Sequence, residues 1–253
     1  MLSTFSDMQG ASLSGTDDSV GSLHDLLFDA PQWVVRYLVV DVGRWLPGRR
    51  VLLPPAVLES ADWSAGMASV PLSRKQVEDS PGVESDRPVS RQKEVELFEY
   101  YDMPFYWGPI AQPLAGGEPP PIPLGTTVPV DAARPESTPE TDSPNLRSCS
   151  EVINYAIEAD DDSIGHVEDF VLDDHSWSIR YLVIDTRNWL PGRKVMVAPQ
   201  WIERISWTEA AVHIAMTRQQ ILDSPKFDPS RPIEREYEQR LHEHYDRPGY
   251  WMM

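Results

Sequence analysis

The sequence predicts a mainly β protein with short helices, built as two tandem small antiparallel β-barrels, each followed by C-terminal helices. Three observations lead there. The chain is written twice at a fixed offset of 144 residues. Each copy carries short apolar runs broken by turn residues, with helix signals near its end. Between the copies lies a stretch too rich in proline, glycine, serine and threonine to hold a core.

RYLVVDVGRWLPGRRV, residues 36–51, returns as RYLVIDTRNWLPGRKV, residues 180–195. The pairing runs without a gap from 2–107 onto 146–251, and 39 of the 106 paired positions are identical. Gly21 pairs with Gly165, Trp33 with Trp177, Trp63 with Trp207, and Tyr106-Trp107 with Tyr250-Trp251. A repeat this long is a duplicated domain, since solenoid units span ~20–50 residues. The chain therefore divides into a first domain (1–107), a Pro-rich linker (108–145) and a second domain (146–253).

Each domain opens with a polar segment, Ser3–Met8 or Ser148–Tyr155, read as a helical turn or two. Strand-like runs follow. In the second copy GHVEDFVLD (165–173) and SWSIRYLVID (176–185) flank Asp173-Asp174-His175-Ser176, which is turn chemistry, so the two runs form a hairpin. Asp29-Ala30-Pro31-Gln32 does the same in the first copy. The Pro-Gly of WLPGR then turns the chain: proline presets one dihedral, and Gly48 or Gly192 allows a positive φ after it. Val51–Leu53 and Val195–Val197 read as the next strands, ended by Pro55 and Pro199. A short turn leads to two further runs, 205–208 and 211–216 in the second copy. Ser73-x-x-Gln76 and Thr217-x-x-Gln220 match the capping box and start short helices. Second helices run from near Pro88 to Tyr101 and from near Pro232 to Tyr245, with Tyr237, Leu241 and Tyr245 along one face. Cores this small cannot supply two packed sheets, so closure into a barrel is the expected way to hide the strand edges.

Composition narrows the function. Forty acidic against 22 basic side chains give a net charge of −18. It divides as −7, −4 and −7 over the first domain, the linker and the second domain. Such a chain repels phosphate backbones and anionic lipid surfaces, so nucleic acid is not an expected partner. Cys149 stands alone, which excludes an internal disulfide and fits a reducing, cytoplasmic setting. MLSTFSDMQG has no secretory pattern, and no apolar run approaches the ~20 residues of a membrane helix. A soluble acidic protein without membrane insertion is expected.

The repeated pattern now carries a family likeness. A glycine before V-x-D, a hairpin, R-Y-L-V-(V/I)-D and then W-L-P-G-R-(R/K)-V resembles the PRC-barrel domain family, named for the H subunit of the photosynthetic reaction centre. The likeness covers both copies, including the terminal Tyr-Trp. It implies a small antiparallel barrel that serves as a docking module rather than an enzyme. The H subunit carries a membrane helix ahead of its barrel, and the chain shows no such segment.

The candidate interaction residues are Arg36, Trp45, Arg49, Arg180, Trp189 and Arg193. Arg36 and Arg180 sit in apolar strands five residues before Asp41 and Asp185, an odd spacing that puts them on opposite strand faces. Each is either bonded to a neighbouring strand or turn, or sets the register of a partner. Trp45 and Trp189, beside the Pro-Gly turn and near Arg49 and Arg193, either cap a barrel end or form an interface anchor. His242 and His244 lie two apart on a helix and face different ways, and His24, His166, His175 and His213 are scattered. Asp160-Asp161-Asp162 lacks the spaced ligands of a calcium loop. No phosphate loop, nucleophile elbow or zinc spacing is present. The sequence therefore predicts no enzyme, no metal and no cofactor. It predicts an unidentified protein partner, with a photosynthetic or electron-transfer accessory as the alternative role. It also predicts an intramolecular pseudo-dimer of the two barrels, with Trp33, Trp45, Trp177 and Trp189 near its edges.

Overall fold

The computed structural model describes residues 1–43, 48–83, 91–103, 146–186 and 193–252. Trp45, Trp189, Gly192, Tyr106-Trp107 and the 108–145 segment lie outside them. In the first half, β1 (Leu2–Thr4) leads into α1 (Phe5–Met8), β2 (Ser12–Ser14), β3 (Ser19–Asp29) and β4 (Val34–Asp41). Then come β5 (Arg50–Leu53), β6 (Ser60–Asp62), β7 (Met67–Ser69), α2 (Arg74–Asp79), β8 (Gly82–Val83) and α3 (Arg91–Tyr100). The second half repeats this order, with a single bridge of Lys194 to Phe227 in place of β8, as β9 (Leu146–Ser148), α4 (Cys149–Val152), β10 (Ala156–Glu158), β11 (Ser163–Asp173) and β12 (Ser178–Asp185). It continues with β13 (Lys194–Val197), β14 (Ile202–Ser206), β15 (Ala211–Ile214), α5 (Arg218–Leu222) and α6 (Arg235–His244).

Local chemistry explains most boundaries. Thr4, Ser148, Ser73 and Thr217 cap α1, α4, α2 and α5, each side chain accepting a backbone N–H of the first turn. In the long strand β11, Ile164, Val167, Phe170 and Leu172 are buried, while His166 and Glu168 are half-exposed. Gly48 adopts φ +77, a left-handed conformation that glycine enters without a steric penalty.

The hairpin turns hold a feature the residue types do not announce. Trp33 and Trp177 adopt φ values of 55 and 56. Left-handed backbone is uncommon in any residue with a Cβ. The N–H of each tryptophan donates to the carbonyl four residues earlier, Asp29 or Asp173, at 2.7 Å. Packing compensates: Trp33 stacks on Phe28 at 5.3 Å, and Trp177 meets Trp63 of the first half edge-on at 6.1 Å.

The opening segments differ from expectation. They begin as strands, and each strand joins the other half. β1 pairs antiparallel with β11, Leu2 opposite Asp173. β9 pairs antiparallel with β3, Leu146 opposite Asp29. The hairpin ends also touch: Val35 N–H donates to Trp177 O at 2.8 Å, and Ile179 N–H donates to Trp33 O at 2.7 Å. Three-residue strands show too little alternation to be read from sequence, and their pairing partner lies far along the chain.

Closure into separate barrels is not what the pairing shows. The described strands form one sheet with the path β14-β15-β10-β11-β12-β4-β3-β2-β7-β6, with β1, β5, β8, β9 and β13 on side branches. The far edge, β6, is short, fully exposed and carries Asp62, which blunts it against further pairing. One core runs through both halves and includes Phe5, Leu26 and Phe28 with Cys149, Phe170 and Tyr181. A smaller cluster places Tyr37, Val39 and Leu52 against Leu97 and Phe98 of α3, and is completed by Leu146 of the second half.

Candidate functional site

The junction between the halves is built on two carboxylates. A register shift interrupts β3 between Leu23 and Asp25, and another interrupts β11 between Val167 and Asp169. A bulge re-aims the residue that follows it. Asp25 and Asp169 are both buried at these points. Asp25 accepts the N–H groups of Leu26 at 2.8 Å and Ser150 at 3.1 Å, together with the Ser148 hydroxyl. Asp169 accepts the N–H groups of Phe170 at 2.8 Å and Ser6 at 3.2 Å. Each carboxylate thus binds the first turn of a helix contributed by the opposite half. Burial pushes the Asp169 carboxyl up, and its hydrogen bonds partly oppose that. Cys149 is fully buried beside this junction, and burial, then Asp25 and Asp169, push its thiol well up, which makes it an inert core residue.

The predicted arginines are tied to their own halves. Arg49 Nη2 donates to Ser80 O at 2.7 Å, and Arg193 Nη2 donates to Ser224 O at 2.5 Å. Both therefore fasten the strand after the Pro-Gly turn to the Ser-Pro stop behind the short helix. Arg36 donates to Gln32 in its hairpin turn. Arg180 reaches Asp173 at 3.0 Å and Ser176 at 3.2 Å, and its guanidinium lies 4.0 Å from the Tyr250 ring centroid. Trp45 and Trp189 lie outside the described residues.

The second half gathers a polar cluster under its C-terminal turn. Tyr181 of β12 donates to Glu238 at 2.9 Å and lies 3.0 Å from His242 Nε2. All three are buried. Arg235 pairs with the other Glu238 oxygen at 2.9 Å and lies over the Trp251 ring at 4.2 Å. Trp201 and Trp251 each approach the His242 ring at 5.0 Å. Burial holds the His242 imidazole below its ordinary value, against the backbone of Arg247 and Pro248 and the Glu238 charge, which raise it. Among the described residues its buried Nδ1 finds no hydrogen bond of ordinary geometry. Burial and Glu238 keep the Tyr181 phenol protonated. The first half keeps Tyr37 bonded to Glu94 at 3.1 Å, but Phe98 stands where His242 does. Sequence reasoning set His242 aside for its angle to His244. The usable signal is the 144-residue offset, which aligns Tyr37, Glu94 and Phe98 with Tyr181, Glu238 and His242.

A second difference opens a cleft. Val57 pairs with Trp201 across the repeat. Trp201 is buried and packs on Tyr245 at 4.7 Å. Around Val57 there is instead a cleft of about 660 Å³, lined by Leu58, Leu72, Tyr100, Tyr101 and Met103, with Glu59 and Asp102 at its rim.

Two acidic groups have structural work. Asp161 accepts the Arg218 N–H at 2.7 Å and Asp162 pairs with the Arg218 guanidinium at 2.8 Å, as Asp17 and Asp18 do with Arg74. Asp173, Asp174 and His175 bring ligand atoms within 4.8 Å of one another. Asp173 is held by Arg180, and Asp174 by the amino terminus at 2.5 Å and by His175 at 3.2 Å.

No helix among the described residues is long and apolar enough to cross a membrane. No curated protein matches the chain. Residues 3–64, which include the glycine, hairpin and W-L-P-G-R pattern of the first copy, match the family model of the PRC-barrel domain, and this match supports the PRC-barrel family for that part of the chain.

Proposed function

We propose that the chain is a non-enzymatic protein of two PRC-barrel units that acts as a soluble protein–protein interaction module. The observation that carries this reading is the reciprocal exchange at the junction: β1 on β11 and β9 on β3. On this reading the exchange links two duplicated units as an intramolecular pseudo-dimer. The groups that could do chemistry support the reading, because they are occupied in holding the fold. Glu238 binds Tyr181 and Arg235, Asp25 and Asp169 bind backbone, and Cys149 is fully buried with its thiol pushed well up.

Affinity capture with the full chain, followed by mass spectrometry, tests the proposal. A stoichiometric protein partner that is lost on surface substitution is the expected result. Turnover of a small molecule by the purified chain, with no partner recovered, would replace it. A role as accessory to a photosynthetic or electron-transfer complex draws on a specific observation, the buried hydrogen-bonded row Tyr181, Glu238 and His242. Recovery of such a complex in the same capture would favour that role.

A further inference from the structure

We infer that the cleft of the first half is a docking seat for a basic peptide segment that presents a tryptophan. This rests on the interaction-module reading and names the partner's chemistry.

The repeat supplies an internal comparison. The two halves share the elements that frame this place: the turn after the strand that follows Pro-Gly, the short capped helix and the end of the long helix. Tyr100 OH donates to Gln76 O at 2.6 Å, and His244 Nε2 sits 2.8 Å from Gln220 O at the matching position. In the second half the space is filled from within. Trp201 lies buried between Tyr245 and His242. In the first half Val57 cannot reach so far, and the half-buried Leu58, Leu72, Tyr101 and Met103 are left around an open volume. The second half therefore shows what this frame accepts: an indole laid against the tyrosine at the end of the long helix.

Charge specifies the rest of the ligand. Glu59 and Asp102 are exposed at the rim and form no ion pair among the described residues. Both are kept in the second half as Glu203 and Asp246. There the residue matching Met103 is Arg247, so the second half supplies both an indole and a cation in its own sequence. At these two positions the first half has Val57 and Met103 instead, and it retains the carboxylates. On a chain of net charge −18 this favours a ligand with lysine or arginine beside its tryptophan. An aromatic anchor in a pocket with charge at the rim is the usual energetic pattern of a small interface.

The test titrates the peptide acetyl-Lys-Trp-Lys-amide into the full chain and follows the Met103 methyl by NMR. A saturable shift is expected, with no comparable response to acetyl-Lys-Ala-Lys-amide. Val57→Trp should refill the seat and weaken binding about tenfold or more, which is ~1.4 kcal/mol. Ala56→Arg, on the exposed lip, should do the same without touching the core, and carries the test should Val57→Trp misfold. Glu59→Gln with Asp102→Asn should weaken binding and flatten its salt dependence. The absence of a saturable shift, equal binding of the alanine peptide, or wild-type binding by Ala56→Arg overturns the inference. A cellular partner captured equally by the wild type and Ala56→Arg would remove this seat while leaving the interaction reading in place.

Discussion

The Asp169 carboxylate accepts the backbone N–H of Ser6 at 3.2 Å, across 163 residues of chain. Asp25 makes the matching contact with Ser150 at 3.1 Å. These paired caps, with the exchanged strands beside them, make each half a structural part of the other.

Removal of one cap should be costly, because it leaves buried donors without a partner. Asp25→Ala strands the N–H groups of Leu26 and Ser150 and the Ser148 hydroxyl. A loss of about 1–3 kcal/mol is expected in denaturant unfolding. Unchanged stability would show that water replaces the carboxylate.

Cleavage should not separate the halves. From composition, limited proteolysis should cut first within 108–145. The two fragments should then co-elute from a sizing column, held by β1 on β11 and β9 on β3. Separately made halves, 1–107 and 146–253, should bind each other. Fragments that elute apart and unfold as before would disprove the pseudo-dimer.

Gly165 should not tolerate a side chain. A Cβ there would lie 2.0 Å from Asp185 O, in the neighbouring strand. Gly165→Ala should destabilise the protein by about 1–3 kcal/mol, the usual cost of forced overpacking. A thermal midpoint equal to wild type would mean that the strands part easily at this point.

Acidification should weaken the second half through His242. Burial holds its folded value below the ordinary 6.5, so on acidification the unfolded chain binds this proton first. The stability it supports is fully present above the unfolded value and falls as pH drops through 6.5 toward the lowered folded value. His242→Phe copies the first half's Phe98 and should reduce the loss of stability between about pH 7.5 and about pH 6. An identical pH profile in the variant would show that other groups govern it.

Much of this architecture is legible in the amino-acid sequence. The 144-residue offset, the hairpins, the positive φ of Gly48 and the capping boxes at Ser73 and Thr217 follow from short-range rules: alternation, glycine's freedom at φ > 0 and side-chain bonds to nearby N–H groups. What only the tertiary structure decided is long-range. Leu2–Thr4 and Leu146–Ser148 carry no readable period, and their choice of the opposite half depends on which edge offers backbone partners and a carboxylate. Trp33 and Trp177 sit in left-handed turns because packing on Phe28 and Trp63 offsets a local preference against it. The cluster at His242 needed β12, α6 and the C-terminal turn together, and the cleft at Val57 depended on a missing indole. Such sites arise from the spacing of elements distant in sequence, which local propensity does not encode.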